Sequence, residues 1–259
     1  MTLYPVYLEI DSDNRCMAHV PDLPGCIARA LGREAALHKL REAIYEYHAW
    51  LHRHGEFALR YEEPIEMEVA EESIGFGPFD PGDAASLFSL DLRTLSREEM
   101  EVYFRLMIYS RADLLDLVRN LPEETLDWKP IPESFTTRRL LRHIGNAEEW
   151  YVSRLVPIET LPPEWEHDEE LPIFEFLEME RRTALDRLRR LAEPDLDEVF
   201  YSTHWTQHPE EPWTVRKALR RFLEHEREHT DQVREILTVG TRNFSKTVTR
   251  GGFHVQHFD

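Results

Sequence analysis

The chain opens on a period-two alternation of apolar and polar residues and ends on stripes of period 3.6, so two differently built parts are expected. From residue 3 to 10, Val6, Leu8 and Ile10 share one face and Tyr7 and Glu9 the other, as in a half-buried strand. A polar turn, Asp11-Ser12-Asp13-Asn14, leads to a second strand near Cys16 to Val20. The turn Pro21-Asp22-Leu23-Pro24-Gly25 precedes a third strand, Cys26 to Leu31. A helix is predicted from about Arg33, with Ala36, Leu40, Ala43, Ile44, Tyr47 and Leu51 at helical spacing and Gly55 as its stop. Ile65, Met67 and Val69 alternate again as a fourth strand. Residues 1–75 therefore read as a small α+β domain, an antiparallel sheet covered on one face by a helix.

Residues 76–95 read as a linker, with Gly77, Pro78, Pro81 and Gly82 close together. Ser96 and Glu99 then form a capping box, and Met100, Tyr103, Phe104, Met107, Leu114, Leu115 and Val118 make one apolar stripe. Further helices are predicted over about 136–155, 172–191 and 214–237. Four amphipathic helices without a convincing strand between them predict an all-α, up-down four-helix bundle over residues 96–240, followed by a tail, 241–259. The connections 156–171 and 192–212 are long, acidic and proline-bearing.

Composition narrows the functional classes. The 259 residues carry 50 acidic and 31 basic side chains, for a formal charge of −19. Nucleic-acid or anionic-membrane binding is not expected of such a chain, because phosphate attraction needs clustered Lys and Arg. Two cysteines, Cys16 and Cys26, make no disulfide framework or Cys-rich zinc site. Met1 to Asp11 lacks a basic region and an apolar core, so no signal peptide is expected and the cytoplasm is the expected location.

The chemistry concentrates in His225-Glu226-Arg227-Glu228-His229, inside the last predicted helix. Two imidazoles four residues apart stand one turn above each other and can converge on one ion. On a helical wheel His229 falls within the stripe of Val215, Leu219, Phe222, Val233 and Ile236, Glu226 lies near its centre and His225 at its edge. A buried carboxylate needs a partner, and a divalent cation would supply one. His143, on the flank of the inner face formed by Leu140, Ile144, Ala147 and Tyr151, is the candidate third ligand. Three nitrogens leave a coordination position for water or substrate, as in catalytic zinc sites. Glu226 is the candidate for proton transfer, against the plainer reading of a salt-bridged acid. His167, His204, His208, His254 and His257 fall in connections or the tail and are weaker candidates. Trp150, Tyr151 and Trp213 could line the mouth of the site, although core packing is the more ordinary role for each. The five-residue match to the zinc-peptidase signature carries less weight, because no strand precedes the helix and only about thirty residues follow it in which to find a further ligand.

Two family resemblances rest on these residues. Tyr4 to Ile10, the Pro21-Asp22-Leu23-Pro24-Gly25-Cys26 turn, Glu34-Ala35 and Arg41-Glu42-Ala43-Ile44 resemble the HicB-type antitoxin fold, a reduced RNase-H-like module, over about the first 75 residues. That resemblance implies binding of a toxin or other protein partner; the acidic side chains of RNase H chemistry are not evident. Leu126-Asp127-Trp128-Lys129-Pro130, Leu140 to Ile144, Ala147 to Tyr151 and Trp213-Thr214-Val215 through His225 and His229 resemble the DinB/YfiT superfamily of metal-binding bundles, over roughly residues 85–240. The resemblance implies a Zn²⁺ or Ni²⁺ ion on His143, His225 and His229, and a hydrolase or a transferase using low-molecular-weight thiols. The implied partner is a small-molecule substrate, such as a thiol; a homodimer is expected separately, because bundles with broad apolar faces often pair. The alternative is a non-enzymatic binding protein acting through the HicB-like unit.

Overall fold

The computed structural model describes the chain apart from residues 59–62, 75–85, 132–133, 158–159, 162–169, 207 and 251–259, and the side chains of 240–250. Strands β1 (Thr2–Ile10), β2 (Arg15–His19) and β3 (Ile27–Leu31) form an antiparallel meander. Helix α1 (Arg33–Arg53) then crosses over to β4 (Ile65–Ile74), which pairs with β1 in parallel, giving the order β3-β2-β1-β4. The sheet is thus mixed rather than antiparallel throughout. A helical crossover returns the chain in the original direction, so the strand after it runs parallel to its neighbour.

The C-terminal part is helical. Its long helices are α2 (Arg97–Val118), α4 (Thr137–Ser153), α5 (Ile173–Arg189) and α6 (Val215–Arg250), with the single turn α3 (Glu123–Leu126) between the first two. Ser96 and Glu99 cap α2 reciprocally, as its sequence predicts. The strands β5 (Phe200–Tyr201) and β6 (Pro212–Trp213) pair in the connection before α6. Helix α6 runs on to Arg250, through half of the expected tail, and 251–259 lie outside the described residues. Gly145 brings α4 close to α5: a Cβ there would lie 2.3 Å from Phe176 Cε1, inside van der Waals contact.

Both faces of the central strands are buried. Val6, Leu8, Cys16 and Ala18 pack with Ala36, Leu40, Ile44 and Tyr47 of α1. The opposite face meets α6 and the segment before α2. His19 Nδ1 lies 2.8 Å from Glu224 Oε1, and Tyr7 and His19 both pack on Phe88. Of the expected linker, 76–85 lie outside the described residues, while Phe88, Asp91 and Leu95 are buried. Arg220 of α6 clamps Asp91 through Nε at 3.1 Å and Nη2 at 2.8 Å. The two parts therefore share an ion-paired interface against α6.

The Pro24-Gly25 turn rests on the same helix. Arg227 Nε donates to the Gly25 carbonyl at 3.0 Å, and its guanidinium lies 4.0 Å from the Trp50 ring centroid. Gly25 has φ +87°, and a Cβ there would sit 2.7 Å from Arg227 Cδ and 3.3 Å from Leu223 Cβ. Gly25→Ala is therefore expected to cost about 1–3 kcal/mol, from backbone strain and overpacking together. A lowered urea midpoint with an unchanged slope would record it.

Candidate metal centre

The cluster is set by the faces that α4 and α6 bury. Thr136 caps α4, its hydroxyl accepting from Arg139 N at 3.1 Å, and Leu140, Leu141 and Ile144 fix the inward face. Thr214 caps α6 by accepting from Lys217 N at 3.1 Å, and donates to the Asp91 carbonyl at 2.9 Å. With both helices anchored, the ring of His143 meets those of His225 and His229. His225 Nε2 lies 3.0 Å from His143 Nε2 and 3.0 Å from His229 Nε2. One donor atom from each of the three imidazoles lies within 4.8 Å of the others.

The chemistry of this arrangement is that of a cation site. A neutral imidazole has one lone pair and one N–H, so His225 Nε2 cannot satisfy two neighbouring Nε2 atoms at once. Burial, the largest cause in each case, lowers all three pKa values; the two neighbouring histidines add to it for His225, and His143 falls to about 4. Neutral rings are the form that binds metal. Gln232 Oε1 accepts from His229 Nδ1 at 2.8 Å, which leaves Nε2 of that ring with its lone pair. The donor set therefore fits a divalent cation that takes imidazole ligands.

The other predicted site residues lie elsewhere. Glu226 is buried as the helical wheel predicts, but its partners are arginines rather than an ion. Arg111 Nε donates to Oε1 at 2.6 Å and Arg181 Nη2 to Oε2 at 2.7 Å. Burial alone would raise this carboxyl, yet the two guanidinium groups hold it below its ordinary value and ionised. Each carboxylate oxygen thus accepts from a guanidinium group, the salt-bridged arrangement that the sequence offers as the plainer reading. Among the described residues the cluster holds neither His204 nor His208, whose Nδ1 faces Glu210 at 3.2 Å; His167, His254 and His257 lie outside the described residues. Trp213 and Tyr151 are core residues packed against one another and Trp150, and the Tyr151 ring centroid lies 6.0 Å from that of His225. Sequence reasoning misses Gln232, although its place three residues after His229 is the spacing at which helical side chains meet.

A helical bundle with convergent imidazoles on two of its helices defines a candidate metal-binding class. Residues 107–233 match the model of the DinB superfamily, so the C-terminal part carries a DinB-like domain. Similar solved structures include YfiT from Bacillus subtilis, described as a probable metal-dependent hydrolase with an unusual four-helix bundle topology. It is 17% identical with a TM-score of 0.43, over 59% of this chain and 91% of that one. A conserved protein from Enterococcus faecalis is 13% identical with a TM-score of 0.44, over 54% and 95% of the two chains. TT2238, a four-helix bundle protein, is 16% identical with a TM-score of 0.40, over 52% and 98%. No curated protein matches the chain. No described helix is long and apolar enough to cross a membrane.

Proposed function

We infer that the C-terminal part is a divalent-metal-dependent enzyme, a hydrolase or a low-molecular-weight-thiol transferase, with Zn²⁺ or Ni²⁺ held by His143, His225 and His229. The observation that carries this reading is the meeting of three imidazole donor atoms from two helices within 4.8 Å. Such an ion, when bound, lowers the pKa of a coordinated water or binds a thiol as thiolate. The chain's own contribution is positional. Helices α4 and α6 aim the rings, Gln232 sets the tautomer of His229, and burial keeps the imidazoles neutral. Partner binding through the N-terminal unit, the alternative, draws on sequence resemblance alone.

Elemental analysis tests the assignment. Protein purified without chelators and supplied with metal is expected to carry about one ion per chain, falling to near zero in His229→Ala with the fold intact by circular dichroism. Equal occupancy of parent and variant would remove the proposed site.

A further inference from the structure

Two arginines, one from each part of the chain, flank the stretch of α6 that carries His225 and His229. Arg29 lies on β3 and its Nε is 3.0 Å from Oε1 of Glu228, the residue preceding His229. The same nitrogen donates to Met17 Sδ at 3.3 Å. Arg221 lies on α6, one turn before His225, and its Nη1 donates to the same sulfur at 3.7 Å and to Glu224 Oε2 at 3.0 Å. Two guanidinium groups thus meet over a thioether, which is a weak acceptor. Arg221 Nε is buried and has no hydrogen-bond partner among the described residues. A buried donor in that state costs free energy until an acceptor reaches it.

The position of the pair relates it to the cluster. Arg221 precedes His225 by one turn of α6, and Arg29 reaches the same helix at Glu228, next to His229; the two cations add to the burial that lowers the pKa values of both imidazoles. Arg221 also acts on the phenol of Tyr151, whose ring neighbours that of His225. Of the nearby carboxylates, Glu9 accepts from Ser86 N and faces His19, Glu224 is shared among His19, Arg220 and Arg221, and Glu228 pairs with Arg29. With these carboxylates already engaged, Arg221 Nε still lacks an acceptor among the described residues, and that donor is what an incoming anion would meet. A guanidinium fork matches a carboxylate in shape and charge.

We propose that Arg29 and Arg221 bind a carboxylate of the substrate on which the three-histidine centre acts, so that the N-terminal sheet completes the active site. The substrate class is a small carboxylate-bearing molecule, and Arg29 is a specificity residue that the helical domain alone would lack. The proposal rests on the metal-centre reading, and its test separates the two.

Cobalt-loaded protein is titrated with 3-mercaptopropionate and with 3-mercapto-1-propanol, two thiols of similar size that differ in the carboxylate. Binding is read from the sulfur-to-cobalt absorption band. The charged thiol is expected to bind about tenfold more tightly or better. Arg29→Gln and Arg221→Gln should each bring the ratio toward one at unchanged cobalt content. Arg29→Lys, which keeps the charge, should retain most of the ratio, so that a loss in Arg29→Gln reads as charge and not as misfolding. Equal affinities in the parent, or a ratio unmoved in both glutamine variants, would overturn the proposal and leave the metal site standing. A parent that takes up no cobalt would instead overturn the metal reading. Calorimetry of the same two thiols on the metal-free protein then decides the arginine pair, since an Arg29-dependent preference for the carboxylate supports it and no preference overturns it.

Discussion

Glu226→Ala is expected to lower the free energy of unfolding by about 3–5 kcal/mol, the usual cost of breaking a buried ion pair from one side. Each of the four long helices contributes one member of the network involved: Arg111 from α2, Glu148 from α4, Arg181 from α5 and Glu226 from α6. Arg181 donates to Glu148 through Nε at 3.1 Å and Nη2 at 2.7 Å, and Arg111 also pairs with Glu148. Two cations and two anions balance, and the arginines further donate to the carbonyls of Leu177 and Met107, both at 2.7 Å. Without Glu226, two buried guanidinium groups share one carboxylate. Glu226→Gln keeps the shape but removes the charge, and should cost less. The depressed folded-state pKa fixes the pH dependence. The charge of Glu226 stabilises the protein above the unfolded-state glutamate pKa, about 4.3, and that contribution is lost as pH falls through the lower folded-state value. The stability gap between parent and Glu226→Gln should therefore narrow on acidification, as guanidinium titrations at several pH values would record. Metal content per folded chain should stay that of the parent in both variants; loss of metal at unchanged stability would return Glu226 to the metal chemistry.

Glu226 also shows where sequence reading stops. Its inward placement follows from the stripe on α6, because helical spacing is a local property. Its partners do not, because Arg111 lies 115 residues away and Arg181 45, and no local pattern singles out either arginine on its own helix. A buried carboxylate requires a cation, but the requirement does not say whether that cation is a metal ion or a guanidinium group. The three histidines are easier to find, since an i, i+4 pair and a third ring on another amphipathic helix fall within or beside the inward faces set by local periodicity.

The N-terminal part is legible to a similar depth. The strands, the turn at Pro24-Gly25 and the helix follow from alternation and from glycine and proline positions. The parallel pairing of β4 with β1 does not, because alternation fixes which face a residue takes and not which neighbour a strand joins. The burial of Phe88 and Asp91 is hidden for a different reason. Glycine and proline at 77–82 mark a joint, yet Asp91 just beyond it is held by Arg220, more than a hundred residues further along the chain.

Metal addition is expected to stabilise the parent by about 4 kcal/mol at a free concentration a thousand times the dissociation constant, since an ion that binds only the folded state shifts unfolding by mass action. The effect should be sensitive to His143, because this residue alone ties α4 into a cluster otherwise built on α6. If removing one of three ligands weakens the site by at least about a hundredfold, the scale seen even for outer-shell partners, the same metal concentration leaves only about 1.4 kcal/mol in His143→Ala. His204→Ala, whose imidazole lies outside the cluster, should keep the full shift. Thermal or denaturant unfolding with and without Zn²⁺ or Ni²⁺ measures all three proteins. A shift equal in parent and His143→Ala would mean that the ion is held without α4, and an equal loss in His204→Ala would move the centre away from these three rings.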